Sequence, residues 1–215
     1  MRILSIELLL LKNLHLGPIT MPDKISIPPE IKGLIFDCDG TLVDSMPMHM
    51  QAWQQAFERQ GVRYDHDFLY SLKGMKETDV ILTYNAHYNA NLDPEEMVQD
   101  KHSILVEQIH MVKPIDIIVE IARSHYGSIP LAVVSGSPKK IVHPELEAIG
   151  IINLFETILT ADDPFRPKPA PDIFLEAAAR IGIEPSYCQV FEDGDPGLEA
   201  ARHAGMLATD IRHYI

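Results

Sequence analysis

The sequence predicts an α/β fold built on a doubly wound parallel sheet of about five strands, with an all-helical segment inserted after the first strand. Three observations point there. From Pro114 onward, helical periods alternate with short apolar runs; the stretch before it reads as helices alone; and polar residues gather where the apolar runs end.

Taken in order, the lead-in "ISIPPEIK" delivers the chain into the first strand, "GLIFD". A helix follows from about Pro47 to Gln60, with Ala52, Trp53, Ala56 and Phe57 at helical spacing and Gly61 as its stop. "ETDVILTYNAHYN" is a second helix, and a third begins at "DPEE", where Asp93 caps, Pro94 suits the first turn and Glu96 completes a capping-box-like pattern. Residues 46–113 therefore read as a helical insertion. Beyond it come "IDIIVEIARSHYG", "IPLAVVS", "PKKIVHPELEAIG", "FETILTA", "PDIFLEAAARIGI", "YCQVFED", "PGLEAARHAGM" and "LATDI". That rhythm means βαβ units with right-handed crossovers, a Rossmann-like sheet formed by residues 31–45 and 114–215. Asp37, Ser135, the Thr160 region and Asp193 fall at strand ends, the edge where open α/β sheets bind ligands.

A chain of 215 residues and 24.2 kDa suffices for one core with an insertion. With 46% hydrophobic and 23% charged residues it has the composition of a soluble globular protein. A net charge of −13 disfavours a nucleic-acid partner, because phosphate backbones are bound by surplus Lys and Arg. Both cysteines, Cys38 and Cys188, sit in apolar runs, which suggests buried free thiols and a cytoplasmic setting. Residues 1–30 are an N-terminal extension. Its leucine-rich start, Met1 to Thr20, is too short to span a bilayer and lacks a cleavage signal. It is either an appendage from an upstream start, with Met21 the working start, or a short helix docked on the core.

Asp37 and Asp39 lie two apart at a strand end, so both point towards one cavity while Cys38 points away. Two carboxylates in one pocket repel. A cation binds, one of them keeps its proton, or both happen. Gly40 and Thr41 supply the turn, although "DxDGT" alone is also consistent with a solvated acidic turn.

"DCDGT" resembles the first motif of the haloacid dehalogenase-like hydrolase superfamily, and the resemblance extends from Ile31 to Ile215. The second motif matches Ser135 in "LAVVSGS", the third Lys168 in "RPKPAPDIF", and the fourth Glu192 and Asp193 in "VFEDGDPGLEAARHAG". It implies a Mg²⁺-dependent phosphatase in which Asp37 is nucleophile and metal ligand. Asp39 is then general acid/base and offers its backbone carbonyl to the metal, and Asp193 is a further ligand. Glu192 and Asp195 are additional metal candidates; Asp195 either holds a metal-bound water or stiffens its loop. Ser135, Gly136 and Lys168 are implied to bind phosphate. Taken singly, Ser135 also suits a helix cap, Lys168 a solvated charge, and the Glu192–Asp193 pair an acidic turn.

By the same resemblance the insertion is a cap domain closing over the substrate. "FDCDGTLVDSMPMHMQAW" is similar to the β-phosphoglucomutase-like subgroup, which implicates His49 near Asp39; Ser45 is read as the cap of the following helix and Asp44 as a hinge residue. "KPAPDIF", "VFEDGDPGLEAARHAGM" and "ATDIR" look most like fructose-1-phosphate/6-phosphogluconate phosphatase-type enzymes. The substrate implied is a small phosphorylated sugar, with no nucleic-acid or membrane partner and a monomer or weak homo-oligomer. A phosphosugar mutase is the alternative. Where the mutase has a phosphate-gripping arginine, this chain has Lys76, a candidate substrate contact, and Glu77; Lys139 after Ser135 is another potential phosphate contact. A receiver-like signalling module would lack the insertion, and a non-catalytic protein would leave four motifs idle. Tyr84 and Tyr88 either line the substrate entrance or, by preference, pack between helices.

Overall fold

The computed structural model describes residues 25–215 apart from Gly74; the expected appendage over residues 1–20 lies outside them. Strands β1 (Gly33–Phe36), β4 (Leu131–Val134), β5 (Thr157–Leu159), β6 (Cys188–Glu192) and β7 (Leu207–Asp210) form one sheet in the order β5-β4-β1-β6-β7. Every neighbouring pair in it is parallel. The chain winds outward from β1 to β4 and β5, then crosses back to β6 and β7, so the direction of winding reverses beside β1. A crevice opens above the carboxyl ends at such a point.

Alternation along β1 explains why both sheet faces must be covered. Leu34 and Phe36 pack with α5 (Asp116–His125) and α6 (Lys139–Ala148), whereas Ile35 packs with α7 (Asp172–Arg180) and α8 (Asp195–His203). Phe36 is fully buried and stacks on Phe191, ring centroids 4.8 Å apart. Burial of such a side chain is worth about 2–3 kcal/mol, and Phe36→Ala would also open a cavity.

Between β1 and α5 the chain forms α1 (Met46–Arg59), α2 (His66–Ser71), α3 (Glu77–Tyr88) and α4 (Pro94–Gln108), which have their own apolar core centred on Trp53, Phe57, Tyr84, Met97 and Leu105. Tyr84 and Tyr88 pack edge-on and tilted within it, and their hydroxyls donate to Arg63 O and Asp65 Oδ2. Asp93 caps α4 by accepting from the amides of Glu95 and Glu96, but the Glu96 side chain takes Gln60 as partner and closes no capping box. Two-residue strands β2 (Val43–Asp44) and β3 (Lys113–Pro114) pair antiparallel where the chain enters and leaves the helical unit. No described helix is long and apolar enough to cross a membrane.

Candidate active site

The carboxyl ends of β4, β1 and β6 lie side by side, and each extends directly into a polar residue. Asp37 follows β1 and is buried; its Oδ1 accepts from Lys168 Nζ at 2.8 Å, and among the described residues no hydrogen bond engages its Oδ2. Lys168 arrives from the loop before α7. It also donates to Glu192 Oε1 at 2.8 Å and to Val134 O at 3.2 Å. Burial pushes the Asp37 carboxyl well above the ordinary range, and Lys168 only partly opposes this, with Glu192 and Asp193 adding repulsion. For Lys168 burial is outweighed by Asp37 and Glu192, which hold its proton tightly.

Ligand atoms of Asp37, Glu192 and Asp193 all lie within 4.8 Å of one another. Within this trio Glu192 is already committed: Oε1 accepts from Lys168, Oε2 from the Gly194 amide at 2.6 Å, and a Cβ on Gly197 would sit 1.6 Å from Oε1. Glu192 therefore holds Lys168 and the loop. Burial and Glu192 raise the Asp193 carboxyl to about 6, against the pull of Lys73, whose Nζ lies 3.6 Å away. Gly40 has φ +77°, and a Cβ there would lie 2.6 Å from Asp193 Oδ2, so glycine is required for both conformation and space. An all-oxygen, anionic set of this kind suits a hard divalent cation.

Asp39 turns to the helical unit. Its Oδ1 accepts from Ser45 Oγ at 2.7 Å and meets His49 Nε2 at 3.0 Å, while Ser135 Oγ donates to Oδ2 at 3.3 Å. Burial would raise its carboxyl, but His49 and hydrogen bonds from Ser137 and Ser45 hold it well below the ordinary range. Ser45 precedes α1 without capping it, because its hydroxyl is spent on Asp39. Ser135 likewise caps no helix: α6 begins at Lys139, and Ser135 Oγ accepts from the Ser137 amide. Gly136, with no clash awaiting a Cβ, lies in the loop between them.

Two candidates sit elsewhere. Asp195 is exposed at the start of α8 and pairs with Arg212 at 2.7 Å; Lys76 is exposed at the start of α3. The Thr160 amide is taken by Asp163 Oδ2, which closes that loop on itself. Cys38 is buried, and burial together with Glu145 and the flanking aspartates pushes its thiol up, the opposite of what a nucleophilic thiolate needs.

A family model described as haloacid dehalogenase-like hydrolase matches residues 34–210. The chain belongs to the haloacid dehalogenase-like hydrolases. Fructose-1-phosphate phosphatase YqaB of Escherichia coli (strain K12) is 36% identical over 84% of this chain and 96% of that protein. β-Phosphoglucomutase of Bacillus subtilis (strain 168) is 30% identical over 84% and 83%. Among solved structures, a β-phosphoglucomutase from Clostridium difficile superposes with TM-score 0.70 at 25% identity, covering 85% of this chain and 86% of that one.

Several residues that shape this hydrolase's site were not singled out from sequence. Lys101, only 1% exposed, brings its Nζ within 2.9 Å of His49 Nδ1, pairs with Glu77, and lies 5.1 Å from the centre of the Trp53 ring. His102 Nε2 meets the other Glu77 oxygen at 2.6 Å. Burial opposes ionisation of Glu77, yet Lys101 and His102 hold its carboxyl well below the ordinary range. Glu145 is fully buried below Asp39, accepts from Cys38 Sγ at 3.6 Å, and is pushed up to about 10 by burial and by Asp39. A periodicity signal existed for both: Lys101 falls on the apolar face of Met97, Ile104 and Leu105, and Glu145 on that of Ile141, Val142 and Leu146.

Proposed function

We propose that this hydrolase is a Mg²⁺-dependent phosphatase acting on a small phosphorylated sugar or sugar acid through an aspartyl-phosphate. The observation that carries the reading is the buried Asp37 carboxylate, its Oδ1 held by Lys168 and its ligand atoms within 4.8 Å of Glu192 and Asp193, at the point where the sheet winding reverses. Asp37 Oδ2 attacks phosphorus in line, forming the acyl-phosphate bond as the ester P–O bond breaks. Asp39 delivers the proton to the departing alkoxide. It then takes one from the water that attacks the acyl-phosphate, which releases inorganic phosphate and restores Asp37. Serine and lysine supply the remaining contacts: Ser135 donates to a phosphate oxygen, and Lys168 balances the developing charge as a fixed cation.

His49 and Ser45 favour the ionised Asp39, the base form. A phosphate dianion beside it raises its proton affinity and thereby generates the acid form with substrate present. Asp37, Asp193 and the Asp39 backbone carbonyl would hold Mg²⁺, which supplies electrophilic activation of the phosphoryl group.

We assign residues 46–113 the part of a cap, and read the enzyme as cytoplasmic and monomeric or weakly oligomeric. The named activity of the Escherichia coli relative supports a fructose-1-phosphate-type substrate, and Lys76 and Glu77 in place of the phosphate-gripping arginine disfavour the mutase reading. Phosphate release from a panel of sugar phosphates, with and without Mg²⁺, tests the proposal, with β-glucose 1-phosphate isomerisation followed alongside. Mg²⁺-dependent release is expected; isomerisation without release would overturn it.

A further inference from the structure

Asp39 ends a continuous polar chain that runs through His49, Lys101 and Glu77 to His102. An ammonium only donates, so His49 Nδ1, 2.9 Å from Lys101 Nζ, must accept. Its proton then resides on Nε2, directed at Asp39 Oδ1 3.0 Å away in preference to Glu145 Oε1 at 4.0 Å. The tautomer of His49 is thus dictated by a cation that never touches Asp39. That cation lies inside the helical unit with an aromatic face on one side, and Glu77 is its sole carboxylate partner among the described residues. An ammonium so deeply buried needs such a partner to persist. Glu77 is itself fixed, because His102 takes its second oxygen.

We propose that Glu77 is a positioning residue for the acid/base carboxylate: it anchors Lys101 as an ammonium, which locks His49 as the Nε2–H tautomer and keeps a donor aimed at Asp39. This rests on the reading of Asp39 as acid/base. Without Glu77, a neutral Lys101 amine accepts from Nδ1–H, and the bare Nε2 lone pair of His49 faces the Asp39 carboxylate. The hydrogen bond becomes a repulsion, and Asp39 loses its orientation.

Nitrogen-detected NMR of the histidine rings in the full chain with Mg²⁺ present tests the lock without any variant. His49 is expected with a bare Nδ1 and a protonated Nε2 at pH 7; an Nδ1–H ring would overturn the proposal. In Glu77→Gln the ring signals should move to the other tautomer or a mixture, with kcat down about tenfold or more and KM within about twofold, as for loss of an outer hydrogen-bond partner. Glu77→Asp should restore most of the rate. Because Glu77 acts through Lys101, Glu77→Gln/Lys101→Met should be no slower than Lys101→Met; losses that multiply, or a Glu77→Gln enzyme at the wild-type rate, would overturn it. Asp39→Asn separates the two readings: full turnover in that variant refutes the acid/base assignment, whereas the His49 tautomer stands as a separate result.

Discussion

Two lysines, Lys101 buried and Lys168 largely enclosed, organise this molecule, and their surroundings differ in charge balance. Lys168 at the sheet edge faces Asp37 and Glu192, with Asp193 beside them, so carboxylates outnumber the buried cation. Lys101 in the helical unit faces one carboxylate, Glu77, and one imidazole, His49, so its cluster closes on itself. The first arrangement carries surplus negative charge, which suits a hard cation. The second is complete as folded, and that suits holding other groups still.

The largest expected effect comes from removing the surplus where the chemistry occurs. Asp37→Asn should cut phosphate release on the order of 10⁴-fold or more while the folded structure persists. Steady-state kinetics with circular dichroism checks both, and a wild-type rate would eliminate the nucleophile assignment. Next in size is Lys168→Met, which leaves Asp37 and Glu192 facing one another. Urea unfolding should show a loss of about 3–5 kcal/mol in metal-free buffer. Millimolar Mg²⁺ should recover part of that loss, whereas it should not recover the stability of Lys101→Met. Equal responses of the two variants to Mg²⁺ would erase the contrast between the clusters.

Glu145 sharpens the comparison from between the two. Its carboxyl titrates ordinarily at 4.5 and is held to about 10 in the folded chain. The folded state therefore binds this proton more tightly, and its contribution to stability is complete below the ordinary value and is lost as the pH climbs towards the raised one. The slope is up to about 1.4 kcal/mol per pH unit. Glu145→Gln removes that slope, so the variant should gain on wild type between pH 5 and pH 8; melts at the two pH values decide it, and parallel behaviour would contradict the buried acid. Smallest is Asp195→Ala. The Asp195–Arg212 pair is solvent-exposed, so Tm should shift by no more than about 2 °C with kcat unchanged. A large activity loss would bring Asp195 back to the metal.

Legibility from the sequence followed periodicity and motif spacing. The sheet strands were readable because short, largely apolar runs alternate with helical periods, and Asp37, Ser135 and Asp193 were singled out because each directly follows such a run, Lys168 because it precedes a helix in a proline-flanked loop. Strands β2 and β3 escaped notice: two residues carry no period, and their pairing depends on how the chain returns after the helical insertion. Ser45 illustrates a different limit. Sequence suggests a helix cap, but the nearby carboxylate of Asp39 competes for the same hydroxyl and wins. Lys101 and Glu145 were visible only as polar residues on apolar faces, a pattern whose meaning emerges once Glu77, His49 and Cys38 are brought beside them by tertiary packing.

The short β2–β3 ladder carries a mechanical consequence. Val43 opposes Pro114, Asp44 opposes Lys113, and the Ile115 amide donates to Leu42 O at 2.9 Å, so both chain crossings between the sheet and the helical unit are tied into one ribbon. A single crossing works as a swivel and leaves three rotations open. A paired ribbon resists twisting and in-plane shear but flexes across its thin direction, which leaves one soft rotation. Ser45 and His49 lie on the helical-unit side of that ribbon and Asp39 on the sheet side, so the ladder fixes the registry in which the two side chains meet the same carboxylate oxygen.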